Sequence, residues 1–449
     1  MSEAKPASKA AALRTSLPEG TIPVATALLI AGVATYLFFK IGTHAVGDTK
    51  LERKENFSPL SSLWFATFAL APGFFLPLEQ ELGRALGHRR AMGQGGQPVV
   101  AKVARLGLLL GGVVALAIIC VSPIIVGSYF DDRWIMVAAL VVAFVAYAPA
   151  HLARGICSGS GRFRPYAIIM GSDGVVRITL CVVLAAVGIQ AVGAYAFVIA
   201  LSPLVGVTYV FSRGSLKTEP GPHASWGEVT PNLGWLLIGS IFGAALLNAG
   251  PVLTAILAPS SRKAEVTEFG YGVLLARVPL FMFQAVQAAL LPRLSRLAAA
   301  GNFAEFRSGL KRLLMLVVGV GVVGSLGAFA LGPFVLEKVY DASLGRTTLA
   351  LLAAGSACYM VALALAQAVI ALKGHSLVGV GWVTGVVALL LGTWLSSDDV
   401  FRRVEIGVLV SSVAAMVYFA IALRYKLASG ARPDSESIME AFTDSVLEP

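Results

Sequence analysis

The feature that most constrains this chain is a succession of long apolar runs. A helix needs about 20 mainly apolar residues to cross a bilayer, and about twelve runs meet that length. They lie near 21–41, 60–78, 106–126, 134–152, 166–187 and 192–211, then near 233–257, 269–291, 313–336, 348–372, 377–395 and 406–423. The runs are continuous rather than alternating. Inside hydrocarbon every backbone N–H and C=O must bond within its own segment, which makes such runs helices. The expected fold class is all-α, a polytopic membrane protein. Composition agrees, with 57% hydrophobic and 13% charged residues and a mean hydropathy of +0.79, where soluble domains carry about 25% charged.

The formal net charge of +10 would in a soluble chain raise the question of nucleic acid. Here placement decides. With the N-terminus inside, the inner segments hold 22 Lys and Arg and the outer loops hold 10. The positive-inside rule then puts both termini in the cytoplasm, in a cytoplasmic (inner) membrane. No basic stretch with interleaved aromatics lies outside the runs, so nucleic acid is not an expected partner. Segment 1–20 is polar, and the run after it is too long for the h-region of a signal peptide. It reads as a cytoplasmic segment before a retained first span.

The longest interior polar stretch, 213–232, falls between the sixth and seventh runs. It divides the chain into a first lobe over 21–212 and a second over 233–425, with 213–232 as a cytoplasmic linker. The acidic segment 426–449, poor in aromatics, reads as a disordered tail. The lobes resemble each other. PIIVGSYFD, from Pro123 to Asp131, ends the third run of the first lobe, and PFVLEKVYD, from Pro333 to Asp341, ends the third run of the second. PLEQELGRA at Pro77 and PRLSRLAAA at Pro292 close the second run of each. Two halves of equal span number and like orientation form a parallel repeat.

No catalytic motif is present: there is no G-x-S-x-G, no H-E-x-x-H and no Walker A lysine. Gly319, Gly321 and Gly324 spell G-x-G-x-x-G inside an apolar run with no strand before it, which reads as close helix packing. The four cysteines form no C-x-x-C pair and read as small buried hydrophobes. The five histidines are scattered, and neither metal nor cofactor is expected.

The candidate site residues are the polar groups inside the runs. Stretch 276–296, ARVPLFMFQAVQAALLPRLSR, holds Arg277 at depth and two helix breakers, Pro279 and Pro292. An arginine there costs about 2.5–3.5 kcal/mol on insertion scales and usually faces a cavity or the protein interior. Asp173 and Arg177 are four apart on one helix face, either a self-neutralising pair or a substrate-facing one. Asn248 bonds a neighbouring helix or lines the cavity. Lys40, near the outer end of the first run, snorkels to the interface or joins the path. Glu79, Glu81 and Arg84 close the second run, and Arg293 and Arg296 close the eighth. If the halves face each other, these five would form a gate at the cytoplasmic mouth.

The chain resembles the polysaccharide (Wzx-like) flippases of the multidrug/oligosaccharidyl-lipid/polysaccharide (MOP) exporter superfamily. The resemblance rests on LLARVPLFMFQAVQAALLPRLSRL, FFLPLEQELGRAL, SDGVVRITL and LLIGSIFGAALLNAGPVLT, and extends over about 21–427. It implies two six-helix lobes around a central cleft, as in MATE transporters, and alternating access by rocking. It implies transport rather than enzymatic activity. The implied substrate is a polyprenyl-diphosphate-linked oligosaccharide moved from the inner to the outer leaflet, with glycan polymerase or ligase proteins as partners. Arg277, Arg177 and Lys40 would meet the diphosphate. Three alternatives stay open: an ion-coupled drug and cation exporter, a lipid II flippase, and a non-transporting scaffold of a cell-envelope complex. Lipid II flippases carry two further helices that this chain lacks.

Overall fold

In a computed structural model, the described residues are 21–231, 233–281, 283, 294, 297–298 and 300–428. Segments 1–20 and 429–449 lie outside them, as do Pro292, Arg293 and Arg296. The readings made for those segments and residues are therefore not addressed by the structure.

Among the described residues, twelve helices of 14 residues or more follow in order. The first six are α1 (Thr21–Ala45), α2 (Lys50–Ala91), α3 (Gln97–Tyr129), α4 (Trp134–Gly159), α5 (Phe163–Ala186) and α6 (Val192–Ser212). A four-residue turn at Trp226–Val229 precedes α7 (Leu233–Leu257), α8 (Lys263–Ala276), α9 (Phe303–Tyr340), α10 (Arg346–Ala371), α11 (His375–Leu395) and α12 (Val400–Ala428). Eleven of the described helices are long and apolar enough to cross a membrane. The other is α8, with 14 residues.

Three helices overshoot the expected spans. With 42, 33 and 38 residues, α2, α3 and α9 reach about 50–63 Å at 1.5 Å per residue, well beyond a hydrocarbon core of about 30 Å. The reason is local. Thr49 caps α2 by accepting from the Glu52 amide at 3.2 Å, and Asn302 caps α9 by accepting from the Glu305 amide at 3.3 Å. Both caps sit in polar sequence well before the apolar run, so helix starts before hydrophobicity does.

Packing repeats with a shift of six helices. In the first half α1 packs on α5, α2 on α4, α4 on α6, α5 on α6 and α3 on α4. In the second half α7 packs on α11, α8 on α10, α10 on α12, α11 on α12 and α9 on α10. The fold is two six-helix lobes. They meet along α2 with α7 and α2 with α8. One apolar core runs through the first half and crosses into the second at Phe269, Tyr271 and Tyr340; another lies within the second half around Trp382 and Phe419. Lipid-facing side chains such as Leu108, Ile124 and Val323 stay exposed, as does Cys120, unlike the buried Cys157 and Cys181. Of the three glycines expected to pack, Gly321 meets Ala357 and Gly324 meets Pro279, whereas Gly319 has open space beside it.

The two ends of the bundle differ. The termini face carries the α2–α3, α4–α5 and α6–α7 connections. The far face carries α1–α2, α3–α4 and α9–α10.

Candidate substrate cavity

Proline chemistry sets the geometry between the lobes. Proline has no N–H, so each intrahelical proline leaves the carbonyl four residues earlier without its helical donor. Pro72 in α2 leaves the Phe68 carbonyl free, and Asn248 of α7 donates to it through Nδ2 at 3.3 Å. Pro251 in α7 leaves the Leu247 carbonyl free, and Arg277 donates to it through Nη2. Arg277 Nη1 donates to Asn248 Oδ1 at 3.2 Å. Ser240 of α7 adds a bond to the Pro72 carbonyl at 3.0 Å. Asn248 thus ties three elements together, and the sequence expectation of a helix-to-helix bond and that of a cavity position both describe it.

Arg277 occupies a break. The helix tightens as the Arg277 amide bonds the Leu274 carbonyl at 3.0 Å, then resumes as Phe281 bonds the Arg277 carbonyl at 3.1 Å. The break falls two residues before Pro279, which has no N–H to return to the Leu275 carbonyl four residues earlier. Arg277 is 8% exposed, and its guanidinium lies 5.5 Å from the Phe65 ring centroid. Among the described residues it pairs with no carboxylate.

A cavity of about 390 Å³ opens beside it. Its walls come from α1, α2, α7, α8, α10 and α11, with Thr35, Asn248, Arg277 and Tyr359 deep in the bundle. Gln80, Gln367 and His375 lie towards the termini face, and Trp64, Trp235 and Trp382 supply aromatic walls. None of its described lining residues is Asp or Glu. The tryptophans, Gln80, Gln367, His375 and Tyr359 escaped sequence reasoning, which weighed charge at depth. No signal in the sequence marks them, since a neutral side chain in a span carries little cost that would reveal which way it points.

Other expected site residues stand elsewhere. Arg177 is 2% exposed and pairs with Asp173 at 2.6 Å. It also donates to the Tyr147 hydroxyl at 3.2 Å and stacks 4.5 Å from the Trp64 ring centroid. The pair sits behind Trp64 and Phe68, inside the first lobe, and does not line the cavity: the two opposite charges pair through Nη2 and Oδ2, while Arg177 Nε and Asp173 Oδ1 are buried without a hydrogen-bond partner. Lys40 does not line it either. It lies 4.0 Å from Asp341 at the far face.

The expected gate at the termini face needs correction at Glu79. Its Oε2 accepts from His151 at 2.8 Å and from Arg154 at 2.9 Å, and its Oε1 accepts from the Tyr166 hydroxyl at 3.0 Å. Both oxygens are committed within the first lobe. Glu81 is buried and pairs with Arg84 at 2.8 Å, and Arg84 also donates to the Glu228 carbonyl at 2.6 Å. Glu79 and Arg84 therefore face partners other than the second lobe, whereas Glu81 also lies within electrostatic reach of His375 of α11; the remaining gate residues, Arg293 and Arg296, fall outside the described positions.

No protein-family model matches the chain. It is 25% identical over 362 residues to an uncharacterized protein of Mycobacterium tuberculosis, Rv3630, covering 74% of this chain and 77% of that one. It is 26% identical over 309 residues to a second, Rv1510, covering 64% and 66%. Among solved structures it is similar to a multidrug resistance MATE family transporter of the MOP superfamily in an inward-facing conformation, with a TM-score of 0.68 at 13% identity, over 92% of this chain and 100% of that one. An outward-facing MATE family transporter gives 0.64 at 12% identity over 95% and 99%. The Vibrio cholerae MATE transporter VcmN in its bent form gives 0.59 at 14% identity over 92% and 99%. The chain has the fold of the MATE transporters of the MOP superfamily.

Proposed function

We propose that this protein is a flippase of the cytoplasmic membrane that moves a polyprenyl-diphosphate-linked oligosaccharide from the inner to the outer leaflet by alternating access. The observation that carries this reading is Arg277. A buried cation without a described carboxylate partner, deep in a cavity with no acid among its described lining residues, calls for an anionic ligand, and a diphosphate supplies one. The aromatic walls suit sugar faces and the amides suit hydroxyl groups. The polyprenyl chain stays in the lipid while the headgroup crosses. In this orientation the termini face is cytoplasmic, as the Lys and Arg asymmetry favours, and the cavity opens inward. Glycan polymerase or ligase proteins would take up the product. The competing reading, an ion-coupled exporter of organic cations, needs a carboxylate on the cavity wall, and none is among its described lining.

The test is reconstitution in liposomes, comparing flipping of a lipid-linked oligosaccharide with efflux of organic cations under proton and sodium gradients. The expected result is flipping without cation efflux, and its loss by tenfold or more in Arg277→Ala with insertion unchanged. Gradient-coupled cation efflux without flipping overturns the reading.

A further inference from the structure

The far face carries a pattern that the cavity does not explain. Asp131 follows α3 and Asp341 follows α9, the third helix of each lobe. Both adopt left-handed backbone, with φ of 54° and 52°, a conformation that Asp tolerates better than most residues. Each carboxylate reaches across to the other lobe and accepts from a lysine at the first residue of that lobe's second helix. Lys263 Nζ lies 2.9 Å from Asp131 Oδ1, and Lys50 Nζ lies 3.2 Å from Asp341 Oδ1. The aspartates are 210 residues apart (341 − 131) and the lysines 213 (263 − 50), so the internal repeat generates the two pairs as symmetry mates. Between them Lys54 of α2 meets Glu268 of α8 at 2.5 Å, both side chains 13% exposed. Tyr271 and Thr43 meet at 2.5 Å beneath them.

We propose that Lys50–Asp341 and Lys263–Asp131 are the two halves of a symmetric latch that holds the far face closed while the cavity is open towards the termini face. Every one of these contacts joins the first lobe to the second, so none survives a rocking motion that separates the lobes at this face. The latch is asymmetric in one respect. Asp341 also receives His44 at 3.3 Å and Lys40 at 4.0 Å, whereas Lys263 is the described cation at Asp131. Among the other charged groups of this face, Arg262 pairs with Glu265 and Asp399 and Arg402 with Glu405 within the second lobe, while Arg133 donates to Asn56 and Arg53 to the Gly47 carbonyl within the first. The latch rests on the two-lobe fold and on no assumption about substrate.

Single exposed pairs are weak, so the pairs act together. The test is hydrogen–deuterium exchange of the full chain in lipid nanodiscs without substrate. In Lys50→Gln/Lys263→Gln, amide exchange at 43–56 and 263–274 is expected to rise severalfold, while exchange at 233–244, on the termini-face half of α7, falls. Asp131→Asn/Asp341→Asn, which keeps shape and tolerates left-handed backbone, should give the same two changes, and all four substitutions together should add little more. Lys263→Gln alone should act more strongly than Lys50→Gln alone, because Lys40 and His44 remain beside Asp341. Lys50→Arg/Lys263→Arg should exchange like the native chain. Unchanged exchange at the far face overturns the latch, and so does a rise there without the reciprocal fall, which marks local fraying. Because no transport is measured, failure here is distinct from failure of the substrate reading.

Discussion

Arg277 and Glu79 show how buried charges in a membrane protein read in opposite ways. Arg277 lies within a span and Glu79 closes one, and each is nearly fully buried. Glu79 has Arg154, His151 and Tyr166 around it, so its role is to hold α2, α4 and α5 together. Arg277 has a carbonyl and an amide oxygen, neutral partners that orient the guanidinium without neutralising it. The two therefore differ in prediction. Glu79→Ala leaves a buried Arg154 without its counter-charge, a loss of about 3–5 kcal/mol, and should lower the unfolding temperature in detergent. A purely gating glutamate would instead lose transport with stability unchanged. Arg277→Ala should show that second behaviour.

At the scale of the element, intrahelical prolines are the device that recurs. Pro72 and Pro251 free the Phe68 and Leu247 carbonyls at the lobe interface, where side chains of the facing helices take them up. Pro251→Ala restores an N–H at that position, and the helix reclaims the Leu247 carbonyl from Arg277. Transport should fall while thermal stability is kept or raised, measured on the same reconstituted sample. Helix ends are set by polar groups. Asp399 caps α12, accepting from the Arg402 amide at 2.9 Å and the Phe401 amide at 3.1 Å. The Arg402 amide, with Arg262 beside it, holds its carboxyl below the ordinary aspartate range. A group whose folded pKa is depressed contributes stability that is present above its unfolded value, about 3.9, and lost as pH falls through the folded one. Asp399→Ala should cost about 0.5–2 kcal/mol near neutral pH. The difference from the native chain should shrink in unfolding curves taken towards pH 3.

At the scale of the whole molecule, the connection between the lobes is a strap rather than a free linker. Arg89 of α2 is 3% exposed and donates to both carboxylate oxygens of Glu228 at 2.5 and 3.0 Å. It also donates to the Gly95 and Pro222 carbonyls at 3.0 and 2.8 Å. The Gln97 amide bonds the Glu219 carbonyl at 3.0 Å, and Lys102 lies 4.8 Å from the Trp226 ring centroid. The strap is bound to the first lobe as far as Glu228, whose carbonyl also accepts from Arg84. Arg89→Ala removes several charge-assisted bonds at once. It should cost about 1.5–3 kcal/mol, and limited proteolysis should then cut within 213–229, where the native chain resists.

The sequence by itself determined the class, the helices and the repeat. Twenty apolar residues in lipid leave a backbone one solution, and the PIIVGSYFD and PFVLEKVYD pair marks the halves. It also singled out Arg277, because charge at depth is costly enough to be conspicuous. What it could not decide was which polar groups face each other. Glu79 with Arg154 and Asp131 with Lys263 are legible as charges near spans. Only the packing of α2 on α4 assigns the first pair to one lobe's interior, and only the approach of the α3 end to α8 assigns the second to the boundary between lobes. The pairing energy of a charge depends on distance and burial, and both are set by helices that are remote in sequence. The tryptophans and amides of the cavity were invisible for the same reason: a neutral side chain in a span carries no cost that reveals which way it points.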